Sequence, residues 1–423
     1  MSDFRKVMRG EVFMKKTFVT IFIVLLAAAA AVGWYIFFYT TSDDGEQTAS
    51  STEDSGRTFF PLGLFGGEAE TDTDADEGGT TTNAGGVFVP PVRQVVPDPV
   101  AAAVFTERNG KLVLRYIDRA TGHIFDAYAT STVIVPVSNT TVPRIQNAVW
   151  IDPLRLFVQY LEEDTNVVET FVGNVHEPAG TSTGGLLTGD FLPPNLLAVA
   201  ANPEGGVFSL TGTPDGSLGN ITLLDGTVRS VFTSLLREWL PQWGGSEVIG
   251  MTTKPSGNVP GYFFLLSLES GSFSKVLAGL RGLTTNINQD GTAVIYASAD
   301  DGMFLKRTIL DSGVTQHFSV RTVPEKCVWG TSLSSVVYCG VPDALPVDMP
   351  DSWYRGTISL SDSLWQIDTE TGLAVLIADL FDFGEAIDMV SPSVSDDGSS
   401  LSFVNKRDGS LWLVQLEPVA GED

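Results

Sequence analysis

Three histidines and two cysteines in 423 residues leave this chain little of the usual catalytic chemistry. His123, His176 and His317 stand in separate segments, and none has a cysteine or second histidine at a metal-ligand spacing. No metal or cofactor site is expected. A G-x-S-x-G elbow, a Walker A loop and an HExxH pair are all missing. The paired carboxylates Asp300-Asp301 and Asp396-Asp397 fall in tight Asp-Gly turns, where aspartate is favoured for turn geometry. The balance is therefore against an enzyme. Positive charge is also scarce: 25 Lys+Arg face 51 Asp+Glu, a net charge of −26. So acidic a chain repels phosphate backbones, which excludes nucleic acid as an expected partner. Beyond residue 87 helical periodicity is almost absent.

What charge there is falls unevenly. Residues 1–16 carry five bases and two acids, whereas 40–90 carry eleven acids and one base. Between them, residues 17–39 (TFVTIFIVLLAAAAAVGWYIFFY) form 23 uncharged positions, about 34 Å as a helix and enough for a ~30 Å hydrocarbon core. Lys15 and Lys16 precede the run; Asp43, Asp44 and Glu46 follow it, and Trp34, Tyr35 and Tyr39 sit near its far end. The positive-inside bias predicts a single-pass membrane anchor with residues 1–16 cytoplasmic and everything after 40 outside. A cleaved signal peptide is the alternative, since Ala27–Ala31 offers small-residue cleavage sites, but the apolar run continues through Phe38.

Residues 40–86 are rich in Ser, Thr, Gly, Asp and Glu, a composition that cannot bury enough apolar surface to fold. A disordered acidic linker is expected there. One apolar island, residues 58–65 (TFFPLGLF), reads as a docking motif, a membrane contact or drift.

From 87 to 418 the pattern is short β-rich runs punctuated by glycine turns, followed by a tail at 419–423. One marker recurs: an apolar strand ending in an acid, a few polar residues, then glycine, at Gly122, Gly226, Gly271, Gly313 and Gly372. The intervals are 104, 45, 42 and 59 residues, and the first is read as two units with a degenerate second copy. A second pattern, strand and Asp-Gly turn twice over, appears at 287–302 and 391–417. About four strands per unit and about seven units predict an all-β propeller of about seven blades. Paired sandwiches or an eight-bladed ring are the competing folds. The last unit lacks an outer strand, and residues 87–96 are expected to supply it and close the ring.

Ser391, Pro392, Ser395, Asp397, Gly398, Phe403, Arg407, Asp408, Gly409 and Trp412 together resemble the TolB-type propeller repeat, within the wider WD-repeat-like class. Asp396 stands where that pattern has proline, and the other units match it poorly. The resemblance implies a fold, not an activity.

Cys327 and Cys339 lie symmetrically about a hairpin centred near Leu333. In an extracytoplasmic domain they are expected to form a structural disulfide, the alternative being two buried thiols. The longest second-to-third loop is 341–357, carrying Asp348, Asp351, Trp353, Tyr354 and Arg355 as a candidate contact surface. Segments 177–194 and 233–240 are placed on the same side as blade connections. These loops either bind a partner or merely cap the face. The leading reading is a binding or scaffolding module in a cell-envelope assembly, docking a protein or envelope polymer. The other is an envelope hydrolase acting on glycans or peptides, which would need two carboxylates facing across a cleft.

Overall fold

In a computed structural model the described residues are 91–416, apart from 164, 166, 178–183, 203, 205, 224, 332–334 and 385. The expected membrane span, linker and C-terminal tail lie outside them. No helix among the described residues is long and apolar enough to cross a membrane.

Twenty-eight strands form seven four-stranded antiparallel sheets, a seven-bladed β-propeller. Blade 1 is built from β2 (Val100–Arg108), β3 (Lys111–Asp118), β4 (Ile124–Tyr128) and β5 (Ile134–Ser138). Blade 2 follows with β6–β9 (145–192), blade 3 with β10–β13 (196–234), blade 4 with β14–β17 (239–281) and blade 5 with β18–β21 (284–321). Blade 6 comprises β22 (Cys327–Trp329), β23 (Val336–Pro342), β24 (Asp362–Asp368) and β25 (Ala374–Ala378).

Blade 7 closes the ring. It contains β26 (Met389–Val394), β27 (Ser400–Asn405) and β28 (Leu411–Gln415), and its outer strand is β1 (Val92–Val96) from the start of the domain. The pairing runs Val92↔Val414 and Arg93↔Leu413, with a bulge before Val96↔Leu411. Joining the first and last described strands in one sheet leaves no blade incomplete.

The burial of each strand follows from its place in a blade. Middle strands are covered on both faces by neighbouring blades and read as unbroken apolar runs: β19 (Ala293–Ala297, AVIYA) is buried at every position. The core is consequently a ring of inter-blade clusters. One joins Val336, Leu364 and Leu380 of blade 6 to Met389, Phe403 and Trp412 of blade 7.

The two repeat patterns have different fates. Both predicted double Asp-Gly units hold, with Gly291 and Gly302 turning blade 5 and Gly398 and Gly409 turning blade 7, all at positive φ. The glycine marker does not keep one phase. Gly226, Gly271, Gly313 and Gly372 lie in third-to-fourth strand turns, but Gly122 lies in the second-to-third turn of blade 1. The reason is local: Gly122 N–H donates to Asp118 O as Gly372 N–H donates to Asp368 O, so the marker encodes a turn type and not a blade position.

Segment 177–194 is likewise not a loop throughout. Leu186–Leu192 is β9, the outer strand of blade 2, paired with β8 (Val168–His176) from Thr170↔Leu192 to His176↔Leu186. Gly189 interrupts the apolar pattern because a Cβ there would lie 1.9 Å from the Val172 carbonyl oxygen.

Cys327 and Cys339 face each other in register on β22 and β23 and are disulfide-bonded, with Cα atoms 4.1 Å apart.

Candidate functional site

The connection between β23 and β24, residues 343–361, is the long loop expected from sequence, and it is fastened across three neighbouring blades. Its single helical turn, Asp351–Tyr354 (α1), is where the fastening concentrates. Asp351 reaches over blade 5 to blade 4: Ser256 Oγ donates to its Oδ1 at 3.0 Å and Gly257 N–H to its Oδ2 at 2.5 Å. Gly282 makes room for the arch, since a Cβ there would meet Pro350 Cδ at 2.8 Å. On the blade 7 side Lys406 Nζ donates to the Trp353 carbonyl at 2.5 Å.

Trp353 is the pin. It is 4% exposed and packs with Met303, Val323, Met349 and Leu360. Its Nε1 donates to both Asp388 oxygens at 3.1 Å, and the Lys406 ammonium stands 4.2 Å from its ring centroid. Beneath the ring lies Lys326, wholly buried, bonded to Asp362 Oδ2 at 2.6 Å and to Asp388 Oδ1. The two carboxylates also accept backbone N–H groups, Asp362 from Met389 at 2.6 Å and Asp388 from Leu360 at 3.0 Å. Both Asp388 oxygens are thus bonded, as a buried charge requires, whereas Asp362 Oδ1 is enclosed without a partner among the described residues.

Burial sets the titration here. Burial pushes the Asp362 carboxyl up to about 6, opposed by the Lys326 charge, and pushes Glu325 up to about 7. Glu325 accepts the Tyr354 hydroxyl through Oε1, while its Oε2 is enclosed without a protein partner. Desolvation lowers the Lys406 ammonium, with Asp388 pulling the other way. The cluster couples the loop to blades 5, 6 and 7 through buried Lys326, Asp362 and Asp388 and the half-buried Glu325 and Lys406.

The five candidate residues thus separate into two groups. Trp353 is buried and Asp351 is bonded to blade 4, so both hold the loop. Tyr354, Arg355 and Asp348 remain exposed, Arg355 Nη2 and Asp348 Oδ2 being 3.9 Å apart, and beside them Val347 is completely exposed. On the same side of the ring, segment 233–240 presents Leu235, 87% exposed, and Leu236 beside a shallow cavity of about 320 Å³ lined by Thr213, Asp215 and Leu218. Lys326, Asp362, Asp388, Lys406 and Glu325 escaped the sequence reading. Lys326 is 36 residues from Asp362 and 62 from Asp388, so no local spacing announces the group.

The paired carboxylates are engaged in structure. Asp300 takes the Arg281 guanidinium at 2.6 Å, and Asp397 accepts Ser395 Oγ at 2.6 Å and Ser399 N–H at 3.0 Å within its turn. A second buried charge group lies in blade 1, where Arg115 donates to Asp126 at 2.8 Å and to the Pro153 carbonyl at 2.8 Å, bracing blade 1 against blade 2.

No protein-family model matches the chain, and no curated protein matches its sequence. Among solved structures it is similar to the oligogalacturonate lyase of Vibrio parahaemolyticus, with TM-score 0.52 and 9% identity over 77% of this chain and 94% of the lyase. It is also similar to the tricorn protease, with TM-score 0.49, 11% identity and 79% of this chain covered, though it spans only 35% of that protein's length. At such identity the lyase likeness shows the fold alone: these are propeller proteins.

Proposed function

We propose that this chain is an extracytoplasmic binding or scaffolding module: a TolB-type propeller, anchored by residues 17–39 and tethered by 40–86, that docks a protein or envelope polymer. One observation carries the binding reading. A nineteen-residue loop is held by a buried tryptophan and a buried lysine–aspartate cluster so that Val347, Asp348, Tyr354 and Arg355 stand out from the propeller face. Long ordered loops in compact domains are more often functional than accidental, and exposed aromatic and arginine side chains on a rigid base are what interface anchors require. The Cys327–Cys339 disulfide supports an oxidising compartment, in keeping with the charge bias around 17–39.

The test is site-specific photocrosslinking in membranes. A photoreactive side chain at Val347 or Arg355 captures a discrete partner, while one at Asp225, in an outer turn of blade 3, does not. Tyr354→Ala and Arg355→Ala each weaken recovery of that partner by about 1–4 kcal/mol, and Arg355→Ala does so with the melting temperature unchanged. Equal capture at all three positions defeats the assignment. Topology is tested separately with a cysteine at Ser42 and an impermeant thiol reagent; labelling only after lysis overturns the extracytoplasmic placement.

A further inference from the structure

The outer edge of blade 6 is built unlike the other six. Outer strands expose unpaired backbone N–H and C=O groups, and proteins guard such edges with charge, proline or polar side chains. Here β5 carries Pro136, β9 Asp190, β13 (Val228–Ser234) Arg229, β17 (Phe273–Arg281) Lys275, β21 (Thr315–Arg321) His317, and β1 Arg93. The blade 6 edge, β25, reads AVLIA and has no guard. Val375, Leu376 and Ile377 are all exposed, at 46%, 48% and 37%. Only β24 pairs with it among the described strands.

Beside this edge runs a groove of about 760 Å³ whose far wall is Val92, Val414 and Leu416 of blade 7. The short 3-10 turn Leu380–Phe383 closes one end, with Phe383 standing over Trp412 at 6.4 Å between ring centroids. Two carboxylates, Asp379 and Asp382, line the same groove, and neither has a cationic partner among the described residues. An apolar edge, backbone groups unpaired by any described strand and acid unneutralised by any described cation together define the complement.

We propose that this groove takes an extended segment of another protein, with alternating apolar residues and an adjoining lysine or arginine pair, as a fifth antiparallel strand on β25. The incoming strand's N–H and C=O groups pair with those of Ala374–Ala378, its apolar side chains fill the groove, and its cations meet Asp379 and Asp382. The edge lies on the rim and the groove shares no residue with the long loop, so the inference stands independently of the binding reading given above.

Three fluorescent peptides test it against the full chain in detergent: alternating valine and threonine flanked by lysines, a copy with proline at alternate places, and a copy with glutamates for lysines. The first is expected to bind at micromolar concentration and to slow amide exchange in Ala374–Ala378 but not in β15 (Val248–Thr253). The proline and glutamate copies bind at least ten-fold more weakly. Leu376→Lys, or Val375→Lys if that variant melts early, weakens the first peptide at least ten-fold. Asp379→Asn with Asp382→Asn weakens it several-fold and flattens its salt dependence. The inference falls if the proline copy binds within two-fold of the first, if neither lysine variant changes binding, or if the full chain sediments as a dimer that Leu376→Lys dissociates.

Discussion

Replacing Trp353 by alanine separates architecture from recognition on the long loop. The ring is buried among Met303, Val323, Met349 and Leu360, so its truncation costs about 3–5 kcal/mol in lost burial and cavity formation. It also removes the Nε1 donor from both Asp388 oxygens and the aromatic face from Lys406. Asp388 then keeps Lys326 and the Leu360 N–H, which limits the further loss to about 1–2 kcal/mol. For a domain of this size each kcal/mol moves the melting temperature by about 2 °C, so Trp353→Ala is expected to melt roughly 8–14 °C early. Trp353→Phe retains the packing and loses the donor, and should lie between variant and wild type. Arg355→Ala, whose side chain is exposed, should melt with wild type in the same calorimetric series. A Trp353→Ala melting temperature within about 2 °C of wild type would refute the pin, and the loop would then owe its order to Asp351 and its blade 4 contacts alone.

Lys326→Met leaves two buried carboxylates without their cation and should destabilise by about 3–5 kcal/mol at pH 8, with partial relief at pH 5 as they take up protons; equal losses at both pH values would count against it. In the wild-type protein Asp362 and Glu325 hold protons to about 6 and about 7, above ordinary carboxyl values near 4, so the folded state binds more protons than the unfolded chain across that window. Their contribution is full below about pH 4 and is lost as pH rises through about 7, giving a denaturation free energy that declines with a slope of up to about 1.4 kcal/mol per pH unit per group. Asp300, Asp368 and Asp397, whose accepted hydrogen bonds hold them below the usual carboxylate range, act in the opposite sense at lower pH. Replacing Cys327 and Cys339 by serine opens a loop of 12-residue separation and should cost about 2–3 kcal/mol; two alkylatable thiols in the unreduced, unfolded wild type would deny the bond.

The chain's pattern alone pointed to the fold class, about seven blades, ring closure by the first strand and a disulfide in preference to two thiols, and the structure fixed the count at seven and the bond between Cys327 and Cys339. Each rests on short-range information: alternation, Asp-Gly turns that demand positive φ, and a count of strands per unit. The glycine marker failed as a ruler for the same reason, because a turn motif is recognised over five residues and carries no memory of which strands it joins. In β9, Gly189 hides a strand that only its close approach to Val172 explains. The long loop and its residues were legible as an insertion. Which of them face solvent was not, since exposure is decided by neighbours distant in sequence: Ser256 claims Asp351 from 95 positions away, and Lys406 and Asp388 claim Trp353 from blade 7. A side chain's chemistry is written at its own position, but its availability depends on what the ring closes around it. Only the tertiary structure brought a lysine, two aspartates and a tryptophan together and made one half of the loop an anchor for the other.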